Sequence, residues 1–260
     1  MLQNTNNTIS NALVVEGGAM RGIFAAGVLD AFLEKRYQPF TEAWGVSAGS
    51  TNLIGYLCGH HGRNHRLWHQ SYQEVPLDLD HYLSGTTKLW VATTSVMTGE
   101  ARYFCVDDNN IHDVLTASCS IPLAYRDYPS VDNEPMSDGG IADSIPVVEA
   151  YRRGARDITV VLSRPLGYEK KPLAFPALTR RMFREQPGLA EALIHRGERY
   201  NETLSFIQNP PDDCRLRIIA PPEDFPVSRL TTDLNKLDLG YQQGHRAAMA
   251  YLAELAQEVA

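Results

Sequence analysis

A serine hydroxyl does chemistry only when something takes its proton and something receives the charge that follows, so the residues to seek are a nucleophile, a base and a set of donors. The stretch "WGVSAGS" holds Gly45-Val46-Ser47-Ala48-Gly49, a G-x-S-x-G pattern. Its glycines keep Cβ atoms out of a tight strand-to-helix turn, which exposes the Ser47 Oγ at a helix N-terminus. The pattern also arises by accident; its weight comes from the extended segment before it and the apolar-periodic helix after it. Upstream, "VVEGGAMRG" offers the donors. Gly17 and Gly18 can present bare backbone N–H groups to a developing oxyanion, and Gly22 lets the next helix start close by. Arg21 either adds positive potential and orients the loop or is an ordinary surface arginine.

Two kinds of base are on offer. His195 or His245 would fit the order of a Ser-acid-His triad, but both fall within helical patterns rather than loops. The alternative is "MSDGGIADSIPV", where Asp138 is followed by Gly139 and Gly140 and a helix starts near Ser144 with Pro146 in its first turn. A carboxylate held beside the serine by such a turn can be the base itself, although Asp-Gly is also a common turn dipeptide. Nucleotide binding fits the glycines poorly. They are adjacent rather than G-x-G, no G-K-[ST] follows, and no acidic residue ends a second strand at the dinucleotide spacing.

The elements that must position these residues alternate. "ALVV" (12–15) reads as a buried strand and 22–36 as a helix. "TEAWGVS" is a second strand, and 48–57 a helix ended by Gly59. Strand composition returns at "KLWVATTSV" (88–96), "DITVVLS" (157–163) and "RLRIIAP" (215–221). Helical patterns occupy 110–122, "SIPVVEAYRRG", 176–208 with a break at Pro187 and Gly188, and 233–258. Residues 60–87, with His60, His61, His65, His69 and His81, read as a short helix plus loop. The order favours one α/β domain over 12–260 with a mainly parallel sheet, after a loose segment 1–11.

The 260 residues suffice for one large domain. A charge of −7 argues against a nucleic-acid partner bound through bulk charge. Cys58, Cys105, Cys119 and Cys214 form no metal-spaced cluster and suit reduced thiols. The polar "MLQNTNNTIS" lacks the basic and apolar regions of a secretory signal, and no apolar run reaches membrane-spanning length. The expectation is a cytoplasmic protein, with contact to a membrane surface left open.

Taken in order, "GGAMRG", "GVSAG" and "DGG", with "TASCSIP" upstream of the aspartate, closely resemble the patatin-like phospholipase family over about residues 12–165. The resemblance implies a three-layer α/β/α sandwich and a Ser-Asp dyad without a catalytic histidine, metal or cofactor. By position it makes Ser47 the nucleophile and Asp138 the base. Gly17, Gly18, Arg21 and Gly22 become the oxyanion loop, and a lipid acyl ester the substrate. Thioesterase or transacylase chemistry on the same parts is an alternative, as is a lipid-binding module without turnover. Segment 59–87 is shorter than the resemblance leads one to expect, which implies a more open acyl site.

Two further stretches bear on partners. "FPALTRRMFREQ" (175–186) places Phe175, Leu178, Met182 and Phe183 near Arg180, Arg181 and Arg184, so it either docks on anionic headgroups or packs its apolar stripe on the sheet. "RGERY" (196–200) and the histidines of 60–81 read as solvated surface, with no metal site established.

Overall fold

Residues 10–67, 76–125 and 127–259 are described in the computed structural model of the chain. The central strands of the sheet form from short, mostly buried apolar runs. Its strands are β1 (Ser10–Val15), β2 (Glu42–Val46), β3 (Lys88–Ser95), β4 (Ala101–Cys105), β5 (Ser130–Val131), β6 (Glu134–Asp138), β7 (Ala155–Val161) and β8 (Arg215–Ile219). The helices are α1 (Ile23–Glu34), α2 (Ala48–Leu57), α3 (Arg63–Arg66), α4 (Leu79–Ser84), α5 (Ile111–Cys119), α6 (Val147–Arg152), α7 (Pro176–Met182), α8 (Pro187–Gln208) and α9 (Leu234–Val259). Strand order is β5-β6-β3-β2-β1-β7-β8, with β4 also on β3. The pairs β3-β2, β2-β1, β1-β7 and β7-β8 are parallel, as helical crossovers require; β4, β5 and β6 add antiparallel pairs.

Side chains alternate across a strand, and β1 shows the consequence. Leu13 and Val15 join one core with Phe24, Phe32 and Leu53, whereas Ala12 and Val14 join another with Ile158, Leu204 and Ile207. Helices therefore cover both faces, giving the expected three layers in a single domain. Gly27, in the glycine-rich opening, turns out to serve packing. A Cβ there would lie 2.1 Å from the Tyr241 carbonyl oxygen, so its absence lets α1 and α9 touch backbone to backbone.

Three differences from the sequence reading matter. The strands β4, β5 and β6 are additions, and β6 ends on Asp138 itself. Second, α7 buries none of its residues. Phe175, Leu178 and Met182 stand exposed, and only Phe183 just beyond α7 turns inward, so the stripe does not pack on the sheet. Third, the described part of 59–87 contributes no residue to the cavity that Ser47 lines. His81, Tyr82, Gly85, Thr86 and Thr87 line a cavity with Leu13, Phe40 and Ala43. His69 and the rest of 68–75 lie outside the described residues, as do residues 1–9 of the expected loose segment.

Candidate active site

Ser47 occupies the single residue between β2 and α2, at φ 50° and ψ −125°. That region disfavours any side chain, so the turn has to be held from outside. Ser118 holds it: its Oγ accepts the Ser47 N–H at 2.8 Å and donates to the Ala92 carbonyl of β3 at 2.7 Å. The flanking glycines are required by space. A Cβ on Gly45 would sit 2.7 Å from the Ser50 Cα, and one on Gly49 would sit 2.4 Å from the Val15 carbonyl oxygen. The serine lies at the carboxyl edge of the parallel strands, where open α/β sheets carry their sites.

Sheet register brings the aspartate to the same level. Val46 pairs with Ala92 in the parallel pair, and the next residue of β3, Thr93, pairs antiparallel with Asp138. Ser47 and Asp138 thus flank β3 from opposite sides at one height and line one small cavity. Thr94 Oγ1 donates to the Asp138 carbonyl at 2.8 Å, fixing its backbone. Its carboxylate is buried; Oδ1 accepts the Gly140 N–H at 2.7 Å, while Oδ2 has no hydrogen-bond partner among the described residues. Burial pushes its pKa up from the usual carboxylate range. The Gly140 N–H and the charges of Arg196, Arg229 and Lys170 pull the other way. Gly139 and Gly140 open a single 3₁₀ turn whose N-cap is Asp138.

The glycine loop closes the third side. Gly17, Gly18, Ala19 and Arg21 line the cavity; Gly22, Gly45, Gly49 and Gly139 are not among its lining residues. The Gly22 carbonyl accepts the Asn52 side-chain amide at 2.7 Å. Contrary to expectation, the Gly17 N–H is not a free donor: it donates to the Ser144 carbonyl at 3.2 Å. The N–H groups of Gly18 and Ala19 have no acceptor among the described residues, and Ala19 is held at φ 49°. Arg21 is no ordinary surface arginine. It is buried, and its Nε donates to the Ser163 carbonyl and hydroxyl at 3.2 and 3.3 Å, tying the loop to the end of β7.

Sequence reasoning missed four neighbours. Cys119, at the end of α5, contacts the Ser47 side chain; burial first and the Asp138 charge next push its thiol up to about 12. Arg196 and Arg229 share the cavity with the dyad candidates, and Lys170 lies close by. "RGERY" is not the solvated surface its pattern suggests: Arg196 and Tyr200, one helical turn apart on α8, both face inward. The histidines go elsewhere: His195 pairs with Glu198 at 3.0 Å, His245 with Glu34 at 2.9 Å and His65 with Asp238 at 2.7 Å. Among the described residues, no histidine lines the Ser47 cavity.

A strand-end serine on a strained turn, beside a buried carboxylate and free main-chain donors, is equipped for acyl transfer. Comparison with known proteins narrows the class. Residues 13–101, which include the glycine loop and Ser47 but not Asp138, match the patatin-like phospholipases, and residues 186–259 match a domain of unknown function, DUF6363. The chain is 32% identical over 275 residues to the uncharacterized protein YjjU of Escherichia coli (strain K12), covering 93% of this chain and 77% of that one. The crystal structure of VipD from Legionella pneumophila shares the fold, with a TM-score of 0.50 and 12% identity over 95% of this chain and 67% of that one. The chain belongs to the patatin-like phospholipase family, and lipids are the substrates to which that family is directed. No helix among the described residues is long and apolar enough to cross a membrane.

Proposed function

We propose that the protein is a metal-independent serine acyl hydrolase that cleaves fatty-acyl esters through Ser47 and Asp138. The observation that carries this reading is Ser47, held at φ 50° in a cavity it shares with a buried carboxylate whose Oδ2 accepts no hydrogen bond among the described residues. Asp138 Oδ2 takes the Ser47 proton as Oγ attacks the ester carbonyl carbon. The oxyanion is received by the N–H groups of Gly18 and Ala19. Collapse expels the alcohol, which leaves with the proton held by Asp138, and an acyl-serine remains. Water then gives its proton to Asp138 and attacks the acyl carbon. Oγ departs, is reprotonated, and the fatty acid is released.

The acyl chain has a place to lie. Ile121, Pro122, Leu123, Leu173, Met182 and Phe183 line an apolar groove of about 300 Å³ that begins at Asp138. Among the described residues its wall comes from α7, α8 and the 121–123 turn, with none from 59–67 or 76–87. Around its mouth Leu123, Leu173, Phe175, Leu178 and Met182 are exposed. Such an apolar rim suits seating on a lipid surface and passing a chain directly into the groove.

The test is intact-mass spectrometry with peptide mapping after a fluorophosphonate probe, on wild type and Asp138→Asn. An adduct on Ser47 alone, lost or much slowed in the variant, is expected. A folded protein left unlabelled at Ser47 would overturn the dyad and favour a lipid-binding module. A thioester substrate and an added alcohol acceptor separate hydrolysis from thioesterase and transacylase chemistry.

A further inference from the structure

Behind Arg21 a second cavity, about 160 Å³, opens next to the Ser47 cavity. Four chain segments aim cations into it: Arg21 after β1, Arg164 and Lys170 after β7, Arg196 on α8, and Arg229 between β8 and α9. Among the described residues the only carboxylate lining it is Glu16, whose oxygens are already used by the Ser163 N–H at 2.6 Å and the Tyr200 hydroxyl at 3.0 Å. Among the described residues, none of the five cations forms an ion pair within 4.0 Å. The Nε atoms of Arg164 and Arg196 are buried, with no hydrogen-bond partner among the described residues. Five like charges drawn together, with donors unspent, form a site that an anion completes.

The chemistry of the walls says which anion. A quaternary ammonium needs open aromatic faces, and those here are covered: Arg164 lies 4.3 Å from the Tyr168 ring centroid and Lys170 lies 4.1 Å from that of Tyr200. A zwitterionic headgroup would also bring its cation against five others. A terminal phosphate suits the site better, since a dianion with three free oxygens uses more of the donors than a diester can. Arg21, Arg196 and Arg229 line both this pocket and the Ser47 cavity, so the anion sits beside the reacting ester. Phosphate and ester stand that close on a glycerol backbone, whereas the long arm of an acyl-coenzyme A would separate them.

We propose that this cationic pocket binds the terminal phosphate of an acylated glycerol phosphate, so that the site selects phosphate-terminated lipids over zwitterionic ones. The proposal rests on the reading of Ser47 as the nucleophile, and its primary test avoids turnover.

The full-length Ser47→Ala protein is titrated calorimetrically, below the micelle threshold, with a lysophosphatidate, a lysophosphatidylcholine of the same chain, inorganic phosphate and an acyl-coenzyme A. Lysophosphatidate is expected to bind at least about tenfold more tightly than lysophosphatidylcholine. Arg164→Gln with Lys170→Gln is expected to remove that preference, and Lys170→Arg alone to keep it. Equal binding of the two lysolipids overturns the proposal, as does a preference that survives the double variant. Inorganic phosphate binding without lipid discrimination assigns the pocket to a free phosphate and overturns headgroup selection; tighter acyl-coenzyme A binding overturns it in favour of a thioester substrate. Wild type that leaves 4-nitrophenyl butyrate intact while Ser47→Ala still prefers lysophosphatidate refutes the nucleophile reading alone. Circular dichroism and urea titration confirm that each variant is folded.

Discussion

The elbow makes a prediction in which the sign alone is decisive. At φ 50° and ψ −125° the Cβ of Ser47 crowds its own backbone, at a cost of about 1–3 kcal/mol. Ser47→Gly and Ser47→Ala both delete the hydroxyl, but only alanine keeps the Cβ. Their difference therefore isolates the strain, apart from one opposing term. Glycine has more freedom to lose on folding, about 0.5–1 kcal/mol relative to alanine. Subtracting leaves Ser47→Gly about 0–2.5 kcal/mol more stable than Ser47→Ala. A difference of 1 kcal/mol corresponds to roughly 2–4 °C in Tm for a chain of this size. Equilibrium urea denaturation would read it, followed by the fluorescence of Trp44 and Trp90, which stack at 5.2 Å within the sheet. Both variants should be inactive, so gain in stability would accompany loss of function. A glycine variant less stable than the alanine variant by the ordinary 0.5–1 kcal/mol would mean that the turn is relaxed. The argument that strain exposes the hydroxyl would then fail.

Asp138→Asn should lower ester hydrolysis about 10²- to 10⁴-fold, the usual worth of a general base; steady-state kinetics on a 4-nitrophenyl ester with a circular-dichroism check would reveal a smaller loss. Phe175→Glu with Leu178→Glu should weaken sedimentation with phospholipid vesicles by at least about tenfold, because each buried apolar side chain is worth roughly 1.5–3 kcal/mol. Unchanged sedimentation would show that the exposed rim does not meet the membrane. Burial lowers the Lys170 pKa to about 7, so this amine is charged below that pH and neutral above it. Sulfate, whose charge is constant from about pH 6 to about pH 9, should bind more weakly at the upper end, with Lys170→Arg flattening the trend. The other charged or titratable groups facing the amine are Glu16, Arg21, Arg164, Tyr168, Arg196, Tyr200 and Arg229.

What was legible in the sequence is what short-range chemistry specifies. The G-x-S-x-G turn, the strand before it and the helix after it are local, and Ser47 is found at their junction. Asp138 could be named as a candidate because Asp-Gly-Gly is a local turn signal. Strand β6 could not, since "EPMSD" contains a proline and lacks a β-branched run; it is a strand because β3 offers it an edge. Its hairpin with β5 turns on Asp132 and Asn133, both at positive φ, a local two-residue turn signal that the sequence does carry. The cationic pocket was illegible for a different reason. Its five charges are contributed by segments as distant as Arg21 and Arg229, and each alone looks like ordinary surface. The apolar stripe of α7 left two readings open because a helical period reports which face is apolar, not what covers it.

The two cavities are coupled through electrostatics, and the coupling has a testable direction. Arg196, Arg229 and Lys170 each stabilise the ionised form of Asp138, opposing the burial that raises its pKa. An anion in the neighbouring pocket offsets those charges, so the carboxylate should hold its proton to higher pH once the pocket is filled. A stronger base results, so the headgroup that positions the ester would also sharpen the group that activates Ser47. On the proposed mechanism Asp138 acts in its ionised form, so the rate should rise with pH along an acid limb that reports its titration. With a neutral 4-nitrophenyl ester, saturating sulfate should move that limb upward and raise the plateau above it. In Arg164→Gln with Lys170→Gln, where the anion no longer binds, sulfate should leave the profile where it was. A limb that stays put in wild type, with sulfate bound by calorimetry, would refute the coupling. The cations around Asp138 would then act on the headgroup alone.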